Sequence, residues 1–456
     1  MDTFYRPTWV EVSLDALHHN VSSFRSLLPP EMAMLAVVKA DGYGHGAVEV
    51  LREAFDAGAS YAGVAFLDEA IELRHAGIQV PILVLGYTPP EAVTTALTHD
   101  ITLTVFSREV LLAAEQAAAG AATAQTFENE AASLRSATTV PIASPSATSL
   151  PQQADAGQDD RRLGATQQHA TLQQAAVQQQ QPQQPQAPNK LKIHIKIDTG
   201  MGRLGLYDED EATAFIEEAM QLPHVEVEGV YTHFASSDDS DKTYTRMQHR
   251  KFDRIISHFQ QQGIRFPYIH TGNSAAAIDC PELSYNMVRI GLSMYGLYPS
   301  EEVLQDRIEL QPAMSLVTRP VMIKTLPPDS GISYGTTYRT LGEERIATLP
   351  VGYADGYSRM LSGHVEVLVK GVRVPVVGRI CMDQCMINVT DVSTEVTLED
   401  EVVLFGTQGP VRLPVEEIAD RLGTINYEVT CMISHRVPRV YTKNGEVFKV
   451  LNPLIR

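Results

Sequence analysis

The stretch Ala36-Val37-Val38-Lys39-Ala40-Asp41-Gly42-Tyr43-Gly44-His45-Gly46 places a lysine at the end of an apolar run and a glycine-broken turn behind it. Met34 to Val38 reads as a buried strand, and residues from about Ala47 to Ala57 as a helix. An ammonium at the end of a buried strand is desolvated, which lowers its pKa and frees the amine as a nucleophile. Such an amine can form a Schiff base with a carbonyl, the aldehyde of pyridoxal phosphate (PLP) among them. A lysine whose head reaches solvent would read the same way over this stretch.

Working outward, strand-like and helix-like segments alternate. Strands are expected near 34–39, 61–66, 81–86, 101–106, 191–198, 225–233, 267–270 and 286–290, with helical patterns between them. A succession of β-then-α units with Val- and Ile-rich strands points to a parallel sheet closed as a (β/α)8 barrel. An open doubly wound sheet has the same element order. Beyond Gln311 short strands and turns dominate, which predicts a mainly β C-terminal domain. The expected division is residues 1–11 as an N-terminal strand joining the C-terminal domain, 12–308 as the barrel and 309–456 as the β domain.

One interval breaks the rhythm. From about 120 to 188 the chain is rich in Ala, Gln, Ser, Thr and Pro, and 14 of residues 151–188 are Gln. So little apolar surface does not offset chain entropy, so a low-complexity, disordered insertion into the barrel is expected.

Composition narrows the class. With 44% hydrophobic and 20% charged residues, the 456-residue chain reads as a soluble globular protein of two domains. A net charge of −19 argues against nucleic-acid or anionic-membrane binding. No stretch has the length and apolarity of a membrane span, and the N-terminus lacks a signal-peptide pattern, so a cytoplasmic location is expected. Cys280, Cys381, Cys385 and Cys431 form no CxxC pair, and buried thiols are favoured over a metal site.

The residues able to carry chemistry sit at expected strand ends. In Lys192-Ile193-His194-Ile195-Lys196-Ile197-Asp198 the isoleucines share one face and His194, Lys196 and Asp198 the other. A polar face turned into a barrel is costly unless it serves a site. Gly200-Met201-Gly202-Arg203-Leu204-Gly205 fits GxGxxG, with Glu226 and Glu228 near the spacing of a ribose partner, so a dinucleotide-binding unit is a rival reading. Lys39, Arg203, His233, Ser274 and Arg289 fall at the carboxyl ends of different strands, where barrel active sites lie. Ser274 opens a helix and suits an anion.

These motifs together resemble the bacterial alanine racemases, PLP enzymes of fold type III. The resemblance rests on Val38-Lys39-Ala40, Tyr43-Gly44-His45-Gly46, Asp198-Thr199-Gly200-Met201-Gly202-Arg203, Thr232-His233-Phe234, Asn273-Ser274 and Arg289-Ile290-Gly291. It continues through Ser333-Tyr334-Gly335, Gly352-Tyr353-Ala354-Asp355-Gly356, Cys381-Met382-Asp383 and Asn426-Tyr427-Glu428, and covers nearly the whole chain except the insertion. It implies that Lys39 is the Schiff-base lysine and one catalytic base. Tyr334, reached from the partner subunit of a homodimer, would be the other. Tyr43, His233, Asn273, Ser274, Arg289, Gly291 and Tyr427 would bind cofactor, with Arg289 facing the pyridine nitrogen. Arg203 and Met382 would contact the substrate carboxylate, Tyr353 would line the substrate entrance, and Lys196 matches a position that is carbamylated in many members. The implied reaction interconverts L- and D-alanine and supplies D-alanine for peptidoglycan. The rivals are a serine or broad-specificity racemase, a PLP-binding protein without turnover, and a decarboxylase on the same barrel.

Overall fold

A computed structural model describes residues 3–137 and 190–455. The described residues up to Ala118 and from Lys190 onward make one compact unit. Strand β1 (Thr8–Ser13) is followed by eight strands that form one parallel sheet: β2 (Ala33–Val37), β3 (Tyr61–Val64), β4 (Ile82–Val84), β5 (Thr102–Val105), β6 (Leu191–Lys196), β7 (Val225–Tyr231), β8 (Tyr268–His270) and β9 (Met287–Ile290). Neighbours run β8-β7-β6-β5-β4-β3-β2-β9, every pair parallel. The sheet closes between β8 and β9, where Asn286 N donates to Ile269 O (3.3 Å) and Arg289 N to Gly272 O (3.0 Å). It is the expected (β/α)8 barrel and not an open sheet.

Covering helices explain the apolar runs of these strands, since a barrel strand is buried on both faces. In β2, Met34, Leu35, Ala36 and Val37 are all buried. The helix Ala47–Asp56 turns Val50, Leu51 and Ala54 inward. The first helix, Leu14–Leu27, is capped by Ser13, whose hydroxyl accepts from Ala16 N at 3.1 Å and satisfies one orphan amide.

The C-terminal region is an eleven-stranded, largely antiparallel sheet. Strand β1 lies within it, antiparallel to Met314–Thr318 and parallel to Arg439–Lys443. Its core gathers Val10, Val12, Leu316, Val367, Ile387 and Leu404 from strands far apart in sequence. Polar ties join this sheet to the barrel: Lys443 and Lys449 reach Glu53 and Glu49 at 2.6 Å, and Arg439 Nε donates to Gly44 O at 3.1 Å.

The expected start of a disordered insertion at about residue 120 is corrected. A helix runs Arg108–Ala137. Alanines at 121, 122, 124, 131 and 132 carry high intrinsic helix propensity. Apolar content was therefore the wrong measure for these residues. The remainder of the expected insertion, 138–188, lies outside the described residues.

Gly44 has φ +84°, and a Cβ there would lie 2.3 Å from Thr430 O. Gly44→Ala is expected to destabilise the protein by ~2 kcal/mol or more, combining left-handed strain with a backbone clash. Chemical denaturation at fixed pH measures it.

Candidate active site

Behind β2 the chain takes an uncommon path. Ala40, Asp41, Gly42, Tyr43 and Gly44 have φ values of 52°, 51°, 62°, 53° and 84°, a left-handed turn. L-residues other than glycine adopt this conformation at a cost of roughly 1–2 kcal/mol each. The turn is held by Gly42 N to Val38 O (2.8 Å), Gly44 N to Ala40 O (3.0 Å) and Gly46 N to Asp41 O (2.8 Å). Glu69 accepts from Ala40 N at 2.7 Å, and Asp41 Oδ1 accepts from Ala47 N at 2.8 Å, capping the next helix. Lys39 precedes this turn, and its Nζ lies 5.9 Å from the centre of the Tyr43 ring.

A cavity of about 670 Å³ opens at the carboxyl ends of the barrel strands. That volume suits a small-molecule or cofactor site. Lys39, Tyr43, Lys196, Arg203 and His233 line it, as do Asn273, Ser274, Arg289, Gly291 and Tyr427. These ten expected site residues come from five of the eight strand ends, those of β2, β6, β7, β8 and β9, and from the β domain. Burial, and next the charge of Arg203, push the Lys39 ammonium below its ordinary value. Burial, with Arg289 and Arg203, brings Lys196 down to about 7. His233 is pushed well below the usual imidazole range by burial and by Arg289, so it stands neutral.

Arg289 is buried and its orientation is fixed. Nη1 donates to His270 Nδ1 at 2.8 Å, while Nη2 lies within 3.0 Å of Thr232 O, Thr271 O and His233 Nδ1. Burial lowers its pKa only to about 10, so it remains a cation at neutral pH. Across the cavity, Ser274 Oγ accepts from Gly291 N at 3.0 Å. A Cβ on Gly291 would meet Tyr43 Oη at 2.9 Å, so the glycine leaves a small cradle beside two hydroxyls. Asn273 Oδ1 accepts from Ala276 N and from the Ser237 hydroxyl, an N-cap role for a residue that also faces the cavity.

Tyr334, Met382 and Tyr353 do not line this cavity. They gather on one surface of the β domain, 68%, 53% and 39% exposed. Tyr353 N donates to Cys381 O and Ala354 N to Met382 O, which ties the two loops together. Ser333, preceding Tyr334, donates its hydroxyl to Arg379 O at 2.6 Å, on the approach to the same loop. Asp355 is fully buried and accepts from Gly352 N while pairing with Arg6 and Arg436, which fixes the Tyr353 turn.

The GxGxxG reading does not survive the geometry. Asp198 Oδ1 accepts from the amides of Gly200, Met201 and Gly202, and Oδ2 from that of Arg203. The donors that would cradle a pyrophosphate are already taken by a carboxylate. The following helix begins only at Glu209, so no helix N-terminus stands behind the glycines. Glu228, read as a ribose partner, lies inside the barrel. Among the described residues no three His, Cys, Asp or Glu side chains converge to hold a metal ion, and no helix is long and apolar enough to cross a membrane.

Tyr231 and Tyr295 escaped the sequence reading. Tyr231 lines the cavity and stacks on His270 at 4.6 Å, with Lys196 Nζ 5.0 Å from its ring centre. The alternation Gly229, Tyr231, His233 along β7 was the available signal for it. Tyr295 donates to Val37 O at 3.0 Å and packs on Tyr43 and His45. Nothing local marks it, because it arrives from beyond β9.

Comparison with known proteins adds a second line of evidence. Residues 12–128 and 113–299 match the family model "Alanine racemase, N-terminal domain", and residues 313–441 match "Alanine racemase, C-terminal domain". The chain is 44% identical over 442 residues to alanine racemase 2 of Oceanobacillus iheyensis, covering 97% of this chain and 95% of the relative. It is similar in structure to an alanine racemase of Clostridium difficile 630, with TM-score 0.80, 38% identity, and 99% and 100% of the two chains covered. A histidine racemase of Leuconostoc mesenteroides aligns with TM-score 0.76 at 25% identity, over 97% of this chain and 100% of that one.

The depressed Lys196 pKa has a thermodynamic consequence. Between about 7 and the ordinary lysine value of 10.5 the unfolded chain binds more protons at this position than the folded one. Its contribution to stability therefore improves as pH rises through that window. Lys196→Met removes this slope. Denaturation midpoints across pH 7 to 10.5 should rise more for the native protein than for the variant.

Proposed function

The chain belongs to the alanine racemase family, and from that membership we propose that it is a PLP-dependent enzyme interconverting L- and D-alanine, working as a homodimer with shared active sites. The observation that carries this reading is the meeting of Lys39 and Arg289 in one cavity at the carboxyl end of the barrel. A desolvated amine stands with a fixed cation, and the hydroxyls of Tyr43 and Ser274 flank the cradle at Gly291. These groups fit an aldehyde, a pyridine ring and a phosphate. When bound, PLP supplies an electrophilic aldehyde and a ring that delocalises charge from the substrate Cα.

In this reading Lys39 holds the cofactor, and Tyr43, Ser274, Gly291 and Tyr427 hold its phosphate end, with Asn273 and His233 completing the pocket. Arg289 would stand at the pyridine nitrogen, where a cation would keep that nitrogen unprotonated and restrain the delocalisation that transamination and decarboxylation need. Arg203 and the backbone amide of Met382 bind the substrate carboxylate. In buffer free of carbon dioxide the free Lys196 amine titrates as described above. Where carbon dioxide is present, the neutral amine adds it and releases a proton, leaving an anion that steadies Arg203. A pKa near 7 supports this, because a neutral amine is the reactive form.

Stereoinversion needs proton exchange on both faces of Cα. Lys39 Nζ serves one face. Tyr334 of the partner subunit serves the other, which accounts for an exposed tyrosine that does not line its own cavity. Tyr353 and Met382 share that surface and complete the substrate entrance. A cytoplasmic role in supplying D-alanine for peptidoglycan belongs to the same proposal. A broad-specificity or serine racemase is the second reading, favoured by the histidine racemase that shares the fold. A PLP-binding protein without turnover is the third.

The purified protein should show a cofactor absorption band and convert L-alanine to D-alanine, with slower or no turnover of serine and histidine. Lys39→Ala should lose both band and activity. Tyr334→Phe should keep the band and lose roughly 10²–10⁴-fold in kcat, the usual contribution of a positioned acid or base. Mixing the two inactive variants tests the shared site. Random subunit exchange at equal amounts restores about a quarter of native activity, because half the dimers carry one intact site of two. No recovery after demonstrated exchange would place both bases in one subunit.

A further inference from the structure

Behind Arg289 the barrel interior contains a line of buried polar groups that no step above uses. Starting from Arg289, Nη1 lies 2.8 Å from His270 Nδ1. His270 Nε2 lies 2.8 Å from His194 Nδ1, and His194 Nε2 lies 3.2 Å from Glu228 Oε2. Tyr61 Oη lies 2.7 Å from the same carboxylate oxygen, and Lys192 Nζ lies 3.0 Å from Oε1 at the far end of the barrel, where the lysine side chain is 42% exposed.

Donor chemistry gives this line one direction. A guanidinium only donates, so His270 Nδ1 must present a lone pair. A neutral His270 then carries its proton on Nε2 and donates to His194 Nδ1. His194 in turn carries its proton on Nε2 and donates to Glu228. Both rings are fully buried, and burial pushes both below the usual imidazole range, which agrees with the neutral forms. Burial opposes ionisation of Glu228, but hydrogen bonds from His194 and Tyr61 outweigh it and hold the carboxyl down at about 2.

The backbone is shaped to build this line. The β6–β7 register shifts between Ile193 and His194: Ile193 faces Val227 and His194 faces Gly229, so Glu228 is the extra residue of a bulge. A Cβ on Gly229 would lie 2.5 Å from His194 Nδ1, so only glycine admits the ring.

We infer that Glu228 is a positioning residue for Arg289, fixing the tautomers of His194 and His270 so that a lone pair always meets the guanidinium. Its purpose rests on the proposed cofactor site; its geometry does not. Without an acceptor at position 228, the His194 proton is better placed on Nδ1, donating to His270 Nε2. The His270 proton then sits on Nδ1 against the Arg289 N–H, and the arginine loses one of the ties that orient it toward the cavity. Position 228 thereby controls a group three links away.

The test uses the full-length holoenzyme with ¹⁵N-labelled histidine, signals being assigned through His194→Gln and His270→Gln. In the native protein both rings should be neutral and protonated on Nε2. Either ring protonated on Nδ1, or on both nitrogens, overturns the inference without any variant at position 228. Glu228→Met removes the acceptor at similar length; it should move the His194 proton to Nδ1 and shift the cofactor absorption band. Glu228→Gln keeps an acceptor oxygen and should retain both the tautomers and the band. If Glu228→Met leaves tautomers and band unchanged, or if Glu228→Gln behaves like Glu228→Met, the inference fails. A native protein with no cofactor band would defeat the proposed function instead, while the histidine spectrum would still decide the chain of tautomers.

Discussion

The left-handed turn from Ala40 to Gly44 is the constraint on which the rest depends. Three of its residues, Ala40, Asp41 and Tyr43, are not glycine, and together they cost about 3–6 kcal/mol in backbone strain. Hydrogen bonds worth about 1 kcal/mol each offset much of that. Packing against the β domain adds to them. Gly44 and Gly46 let the turn press against Thr430 and Tyr441, and Arg439 clasps the Gly44 carbonyl. The turn that follows Lys39 is therefore braced by the β domain as well as by its own hydrogen bonds. It also aims Tyr43 at Gly291, so one strained loop sets both the amine and a hydroxyl of the cavity.

The second constraint is electrostatic. Lys39, Lys196, Arg203 and Arg289 converge in a protein of net charge −19. Such a concentration of positive charge inside an acidic molecule focuses anions into the cleft. Burial first, and then the neighbouring arginines, lower the pKa of each lysine. Arg289 alone is tied down by two histidines and two backbone carbonyls, and it keeps its charge. The site thus holds one permanent, oriented cation and two amines made reactive first by burial, with Arg203 adding to it at Lys39 and Arg289 and Arg203 at Lys196.

Geometry also separates two sets of residues. Ten candidates share the cavity of the barrel, whereas Tyr334, Met382 and Tyr353 stand on an exposed β surface. Buried Asp355 with its two arginine partners organises that surface as firmly as Arg289 organises the cavity. Exposed aromatic and thioether groups held on rigid loops are suited to an interface, where their apolar area would be covered.

The barrel was legible because its information is local. Strand-end Lys39 and alternation along β6 can be read within a few residues, and parallel strands joined by helices close in few ways. The order of elements, the division into barrel and β sheet, and the lysine's position followed from that periodicity. What no local pattern held were contacts between residues far apart. Arg439 meets Gly44 across 395 positions, and His194 meets His270 across 76. The Asp198 loop shows the difference in one place: its glycines read as a phosphate cradle until the carboxylate was seen to occupy the amides. The helix continuing through Ala137 shows the reverse, a local propensity overlooked because composition was read for burial. Sequence alone determined which side chains were available and on which strand ends they stood. Tertiary structure decided which of them lost water, which found a partner, and hence which carry charge, because desolvation and hydrogen bonding are properties of the assembled barrel and not of any segment.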